Sequence, residues 1–432
     1  MIRPTRAWKA AAVLGVASLA LAACGGSDGG DGEQPAGENT ATADATSDAP
    51  EASGDGTLTI GTLLPQTGNL AFLGPPEFAG VQLAINEINE GGGVNGQDVA
   101  KIDADSGDTS TDIASQSVER LLSQNVDAIV GAASSGVSFT VIDRITGAGV
   151  VQMSPANTSP DFSSYDDDGL YFRTAPSDVL QGRVMGELLV EDGYLDVGVM
   201  ALDDPYGTGL AENIQKSVED GGGSLVTDPI IYNPQAANFS AEVGQMKAAN
   251  PEAIVLVGFD ETKKIVPELI AQGIGPQDVP LYFVDGNTAD YSADFEPGTL
   301  TGVKGTQPGA EVPDEFRTRL LEVDPSLTVF NYAPESYDAT ILIALAAIAA
   351  GDDGGKSIAA QLPAVSGGGG EKCTTFADCK ELLEAGTDID YDGVSGPIEF
   401  DDNGDPTEAT VGIYQYAEDN TNTAVDFRAG KI

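Results

Sequence analysis

From Leu58 to Asp285, apolar runs of strand length alternate with segments of helical period, and this alternation limits the possible folds more than any single motif. Strand character at 58–64, 99–103, 128–130 and 149–153 is separated by helical patterns ending near 90, at 111–124 and at 137–146. In the first helix Phe78, Val81, Leu83, Ala84, Ile85 and Ile88 recur on one face, and Gly91, Gly92 and Gly93 end it. A second series follows: helices at 181–191, 209–220, 240–249 and 262–272, with strands at 196–201, 224–231, 253–257 and 281–285. Successive βα units predict parallel, doubly wound sheets. Two such series predict two α/β lobes.

The stretch 129–158 carries the first functional signal. Ligands of open parallel sheets bind beyond the carboxyl ends of the strands, where free N–H groups and helix N-termini favour anions. Two adjacent strand-end loops here offer the hydroxyls of Ser134, Ser135 and Thr158. Neither phosphate-binding glycine pattern accompanies them, so a small carboxylate or polar amide suits the loops better than a phosphate.

The chain start indicates the compartment. Arg3, Arg6 and Lys9 precede a short apolar core at 10–20 and then Leu21, Ala22, Ala23 and Cys24. The core is too short to span a bilayer, so residues 1–23 read as a signal peptide. Cys24 sits where a bacterial lipobox places its lipidated cysteine. Residues 24–56 are rich in Gly, Ser, Thr, Ala, Asp and Glu, with no basic or aromatic side chain, and read as a flexible acidic tether. The folded part is thus expected at the outer face of the cytoplasmic membrane, anchored through Cys24.

Charge and composition remove several function classes. The chain has a net charge of −48; without Arg3, Arg6 and Lys9, 17 basic residues face 68 acidic ones, or −51. Nucleic acid and anionic lipid are poor partners for such a surface. There is no histidine, which removes the usual general base and the commonest metal ligand. Beside Cys24 only Cys373 and Cys379 remain. Zinc would need two further ligands, so a disulfide in an oxidising compartment is the better account. The acidic turn 401–405 lacks the glycine and the closing glutamate of a calcium loop, and no metal or cofactor is expected.

Beyond Gly298 the alternation loosens. A short strand at 302–306, a helix at 314–323, a very apolar helix at 335–350 and a helix at 376–384 are expected, then an antiparallel pair of 396–400 with 410–416. The apolar helix is too short for a membrane and reads as a core helix against the first sheet.

The order of these pieces resembles the substrate-binding proteins of ABC importers in the leucine/isoleucine/valine-binding family. The residues that carry the resemblance are Thr59–Ile60–Gly61 with Thr67–Gly68; the helix 80–93 ending Asn86–Glu87–Ile88–Asn89–Glu90 and three glycines; Ser154–Pro155; and Phe172–Arg173–Thr174. Asp204–Pro205–Tyr206–Gly207, Asn238–Phe239–Ser240, the segment 247–251, Tyr337–Asp338–Ala339 and 393–398 with Asn403–Gly404–Asp405 complete it. The resemblance implies the type I periplasmic-binding fold: two lobes joined by three hinge crossovers, near Thr174–Ala175, at 302–306 and at 393–397. Lobe 1 is then 57–175 with 304–395, and lobe 2 is 176–303 with 396–432.

It also implies roles. The loops of Ser134–Ser135 and of Ala156, Asn157 and Thr158 hold a ligand carboxylate, Asp285 pairs with its ammonium, Tyr206 lines the opposite wall, and Phe259 covers the site. Leu73 stands where amino-acid binders often carry a tyrosine, which makes that wall more apolar. The ligand is expected to be a branched-chain or other aliphatic L-amino acid, with a short amide, urea or an aromatic acid as alternatives. ABC permease subunits are the expected partners of a chain working as a monomer. A ligand-sensing receptor subunit would share the fold but is expected to continue into a membrane or signalling segment. A hydrolase is disfavoured by the missing histidine and the lack of a Gly-x-Ser-x-Gly elbow, so no catalysis is expected.

Overall fold

The computed structural model describes residues 54–432. The expected signal peptide, Cys24 and the tether up to residue 53 lie outside the described residues. The last tether positions are anchored rather than free, since the Gly54 and Gly56 N–H groups donate to Asp352 and Asp353.

The first sheet is built from β1 (Thr59–Leu64), β2 (Ala100–Asp105), β3 (Ala128–Gly131), β4 (Val151–Ser154) and β5 (Tyr171–Arg173) in the order β2-β1-β3-β4-β5, every pair parallel. Helices α1 (Gly74–Glu90), α2 (Ile113–Leu122) and α3 (Ser135–Thr146) connect its first four strands. β3 and β4 are buried along their whole length because helices cover both faces; β3 reads as a continuous apolar run, while Gln152 and Ser154 interrupt β4.

The chain then crosses to a second layer. Helix α4 (Asp178–Glu191) leads into β6 (Asp196–Leu202), α5 (Pro205–Asp220), β7 (Ser224–Leu225), β8 (Ile230–Tyr232), α6 (Ser240–Ala249), β9 (Ala253–Val257), α7 (Thr262–Gln272), β10 (Leu281–Phe283) and β11 (Lys304–Pro308). The second sheet runs β16-β15-β11-β10-β9-β6-β7, with β8 also on β6; here β15 (Glu408–Tyr416) and β16 (Asn422–Lys431) are the antiparallel edge. The expected strand 224–231 is therefore two short strands.

Between β11 and β15 the chain returns to the first layer as α8 (Asp314–Val323), α9 (Ala333–Ala350), α10 (Gly355–Val365), β12 (Glu371–Cys373), α11 (Phe376–Glu384), β13 (Ile389–Gly393) and β14 (Gly396–Pro397). α9 is the apolar helix expected in the core: it is 83% buried, packed against α1 and α10. An all-round apolar surface follows from being covered on every side. Cys373 and Cys379 are joined in a disulfide.

Two expected boundaries move. The strand expected at 302–306 is not a crossover: β11 pairs in register with β10 and β15, so 304–308 belongs to the second sheet and the chain crosses at 309–313. Likewise 396–400 does not pair with 410–416. Gly396–Pro397 pairs with β13, and Ile398 and Phe400 pack in the core of the first layer, so the last crossing lies at 401–407. β11 looks like a hinge because its pairing partners are distant in sequence, whereas Gly396–Pro397 closes a tight turn back onto β13.

The crossovers are tied together. Arg173, at the first, donates from Nε to Asp405 Oδ1 at 2.5 Å and from Nη2 to Asp405 Oδ2 at 2.8 Å, at the third. Thr174 Oγ1 donates to the Glu335 carbonyl, and Gly309, in the second crossover, packs on the Glu335 carboxylate.

Candidate functional site

The carboxyl ends of β3 and β4 face those of β6, β9 and β10 across a small, nearly closed cavity. Leu70, Leu73, Ala133, Ser134, Ser135, Ala156 and Thr158 line it from the first layer, and Tyr206, Phe259, Asp285 and Gly286 from the second, with Tyr332 from the turn before α9. Eight of the nine residues expected at the ligand therefore meet at one cavity. The free space in it is about 10 Å³, room for no more than about one water, so a solute enters only with the two walls apart.

The first wall is a set of donors at a helix N-terminus. β3 ends at Gly131 with φ +128°, and an added Cβ there would collide with the Leu63 carbonyl, so only glycine turns the chain into the loop. Ser134 is the N-cap of α3 and accepts from the Val137 N–H at 3.3 Å; Ser135 Oγ accepts from the Ser159 N–H at 3.3 Å. These bonds fix both hydroxyls beside the positive end of α3. Asn157, expected at the ligand, does not line the cavity. It is fully buried, its Nδ2 donates to the Ala132 and Ala133 carbonyls at 3.0 and 2.8 Å, and its Oδ1 accepts from Tyr171. With its polar atoms consumed in this way, Asn157 staples the two loops together.

The opposite wall is an acid held by hydroxyls. Asp285 Oδ1 accepts from the Tyr206 hydroxyl at 2.6 Å and from Gln181 Nε2 at 3.0 Å, and Oδ2 from the Tyr332 hydroxyl at 2.6 Å. The turn after β10 is set by Asn287, whose Oδ1 accepts from the Val284 N–H and whose Nδ2 donates to the Leu256 carbonyl. Burial pushes the Asp285 carboxyl up, and the bonds from Tyr206, Tyr332 and Gln181 pull it back. Burial and the Asp285 charge raise the Tyr206 and Tyr332 hydroxyls well above the usual phenol range, so both stay donors. Phe259 stacks on Tyr206 at 5.4 Å, and its N–H donates to Glu261, which fixes the turn.

Three participants carry no motif that marks them in the sequence. Tyr332 holds φ +58°, a strained conformation for a bulky residue, and its bond to Asp285 is the compensation visible here. Gln181 and Asp178 sit one turn apart on α4, behind the acid wall. A Tyr two residues before the proline that opens an apolar helix was the available signal for the first. For Asp178 only its place after the N-cap Ser177 distinguished it from 67 other acidic residues.

The two walls also touch directly. Asp204 caps α5, accepting from the Tyr206 N–H at 3.0 Å, and its other oxygen lies against Gly136 in the first turn of α3. Burial raises its carboxyl to about 6. Ser159 Oγ donates to the Pro205 carbonyl at 3.1 Å. Among the described residues no cluster of three or more side chains is arranged to hold a metal ion.

Residues 57–421 match the family described as periplasmic binding protein. The chain belongs to that family. A relative periplasmic binding protein is the chemotactic signal transduction system substrate-binding protein BasB of Halobacterium salinarum, 26% identical over 79% of this chain and 83% of its own. Another is the leucine-, isoleucine-, valine-, threonine- and alanine-binding protein of Pseudomonas aeruginosa, 26% identical over 85% and 92%. Among solved structures, the substrate-binding protein LivJ of Streptococcus pneumoniae, in complex with isoleucine, superposes with a TM-score of 0.70 at 22% identity, covering 87% of this chain and all of that one. The architecture is the type I periplasmic-binding fold.

Proposed function

We propose that this periplasmic binding protein captures a small L-amino acid, branched-chain or otherwise aliphatic, and hands it to an ABC importer. The observation that carries the reading is the split of charge across one small cavity: hydroxyl donors and a helix N-terminus on one lobe, a single hydroxyl-braced acid on the other. A buried zwitterion needs donors at one end and an acceptor at the other, because unpaired buried charge is expensive. Ser134, Ser135 and Thr158 take the carboxylate, Asp285 with Tyr206 takes the ammonium, and Leu70, Leu73 and Phe259 enclose the side chain. Full pairing requires both lobes, so ligand selects the closed form that the permease recognises. No bond of the solute is made or broken. The amino acids bound by the similar Pseudomonas and Streptococcus proteins support an amino acid as ligand. In this reading Cys24 carries the lipid that holds the molecule at the outer face of the membrane; loss of the membrane-bound fraction in Cys24→Ala cells tests it.

A thermal-shift panel decides the ligand class. A ligand at a hundredfold its dissociation constant adds about 2.7 kcal/mol of stability. Leucine, isoleucine or valine should shift the transition, and acetamide, urea and 4-hydroxybenzoate should not; the reverse pattern overturns the amino-acid assignment. The similarity to BasB, a substrate-binding protein of a chemotactic signal transduction system, favours a second reading, in which the same capture reports to a chemotaxis transducer. Loss of leucine uptake with intact chemotaxis in a deletion strain separates the two.

A further inference from the structure

Asp178 is fully buried in the first turn of α4, and neither of its carboxylate oxygens receives a hydrogen bond of good geometry, although the Thr158 hydroxyl is nearby. It faces Asp285. One turn on, Gln181 spends its amide N–H on Asp285 and leaves its own carbonyl oxygen unpartnered. The neighbourhood thus holds two carboxylates and three buried acceptors without a donor.

The groups around Asp178 allow only one arrangement of charge. Asp285 is bonded by two tyrosine hydroxyls and an amide, all of which favour its ionised form. Arg173, on β5, is committed to Asp405 and to the Asn157 and Ser159 carbonyls. Asp204, at the cap of α5, is a third acid and adds to the repulsion. Thr306, which β11 places beside Gln181, is uncharged. Two buried like charges without a counter-ion cannot both persist, so the charge rests on Asp285 and a proton on Asp178. That proton also suits the geometry, because the orphaned Gln181 carbonyl one turn along the same face is the acceptor it needs.

Resting on the amino-acid reading above, we propose that Asp178 is protonated in the empty cleft and gives up its proton when the ammonium of the ligand arrives, so that capture releases a proton. The Asp178 O–H bond breaks, the proton passes to bulk buffer while the lobes are apart, and the ligand, already an ammonium at neutral pH, supplies the positive charge that lets Asp178 and Asp285 both ionise. Asp178 is therefore a positioning residue for the cationic end, and binding weakens as pH falls. Burial and the Asp285 charge raise its carboxyl, opposed by the nearby Thr158 hydroxyl and by Arg173.

The test is calorimetry of the full chain with L-leucine at pH 7 in phosphate and in Tris, whose ionisation heats differ. The binding heat should differ between buffers by the equivalent of about one proton released per ligand. Asp178→Asn should bind leucine with the same heat in both buffers, and 4-methylpentanoate, which is leucine without its ammonium, should release no proton from the wild type. Leucine binding with equal heats in both buffers overturns the proposal while leaving the amino-acid reading intact, and needs no variant. Persistent release in Asp178→Asn, or its loss in Glu335→Gln instead, also overturns it. If leucine, isoleucine and valine all fail to bind, the functional reading falls and takes this proposal with it.

Discussion

Arg173 and Asp178 lie five residues apart along the chain and equally deep, yet their pairings with Asp405 and Asp285 are satisfied in opposite ways. The first pair is bidentate, and Arg173 spends its remaining Nη1 on two backbone carbonyls. The second is two acids whose only donors come from tyrosines and one amide, with Asp178 left bare. A buried charge balanced inside the protein clamps the first crossover to the third. A buried deficit of donors and positive charge is what an incoming cation relieves.

That contrast can be broken at several points. Arg173→Ala leaves Asp405 buried without its counter-ion, with only the Ser163 hydroxyl still donating to it, and is expected to lower the unfolding free energy in urea by about 3–5 kcal/mol. A loss below about 1 kcal/mol would mean that Asp405 is not dependent on the clamp.

A third pair sharpens the comparison. Glu77 and Glu335 adjoin one another where α1 meets α9, and both Glu77 oxygens are unpartnered, yet neither lines the ligand cavity. Burial raises Glu335 from its ordinary 4.5 to about 8, and burial with the charges of the neighbouring acids Asp353, Asp55 and Asp352 raises Asp127 to about 7. The folded chain holds these protons more tightly than the unfolded chain. The stabilisation is complete below the ordinary carboxylate range and is lost as pH rises through 7 and 8. Urea unfolding should therefore show stability falling between pH 5 and pH 9, on the order of 3 kcal/mol. Glu335→Gln should flatten the upper part of that fall, and an unchanged slope would remove Glu335 as its source.

Asp285→Ala orphans the three buried donors Tyr206, Tyr332 and Gln181 and should lower the stability of the empty chain by about 1–3 kcal/mol, while leucine affinity drops by about 2–3 kcal/mol, the worth of bonds to a charged group. Paired urea and calorimetric measurements check both halves. The smallest effect belongs to Tyr332→Phe, which deletes one of three donors to Asp285 and should lower affinity and stability by about 1 kcal/mol each; a much larger loss of stability would assign Tyr332 to the core instead.

The lobes and most of the site were legible because they rest on local patterns. The helices 240–249, 262–272 and 314–323 fall where their periodicity put them. Ser134 was marked as a hydroxyl in a strand-end loop, and Asp285 by its place at a strand end. What stayed hidden depends on contacts between distant segments. β11 looked like a hinge because its partners lie 20 residues before it and 100 after it, and Asp405 looked like part of an acidic turn because Arg173 is 232 positions away. Asn157 was misread since a polar side chain in a binding loop looks the same whether it meets a ligand or ties two loops. Asp178 was lost in the acidic background, and only its unpartnered oxygens single it out.

Asp204 has a kinetic consequence. One carboxylate is shared between the amino ends of α5 and α3, from opposite lobes, and no ligand atom takes part. The shut form is therefore favoured in part by the protein itself, and each 1.4 kcal/mol from such contacts makes it about tenfold more populated when empty. Opening then has a component common to all solutes, and ligands of different affinity share part of the same residence time, set by a latch they never touch.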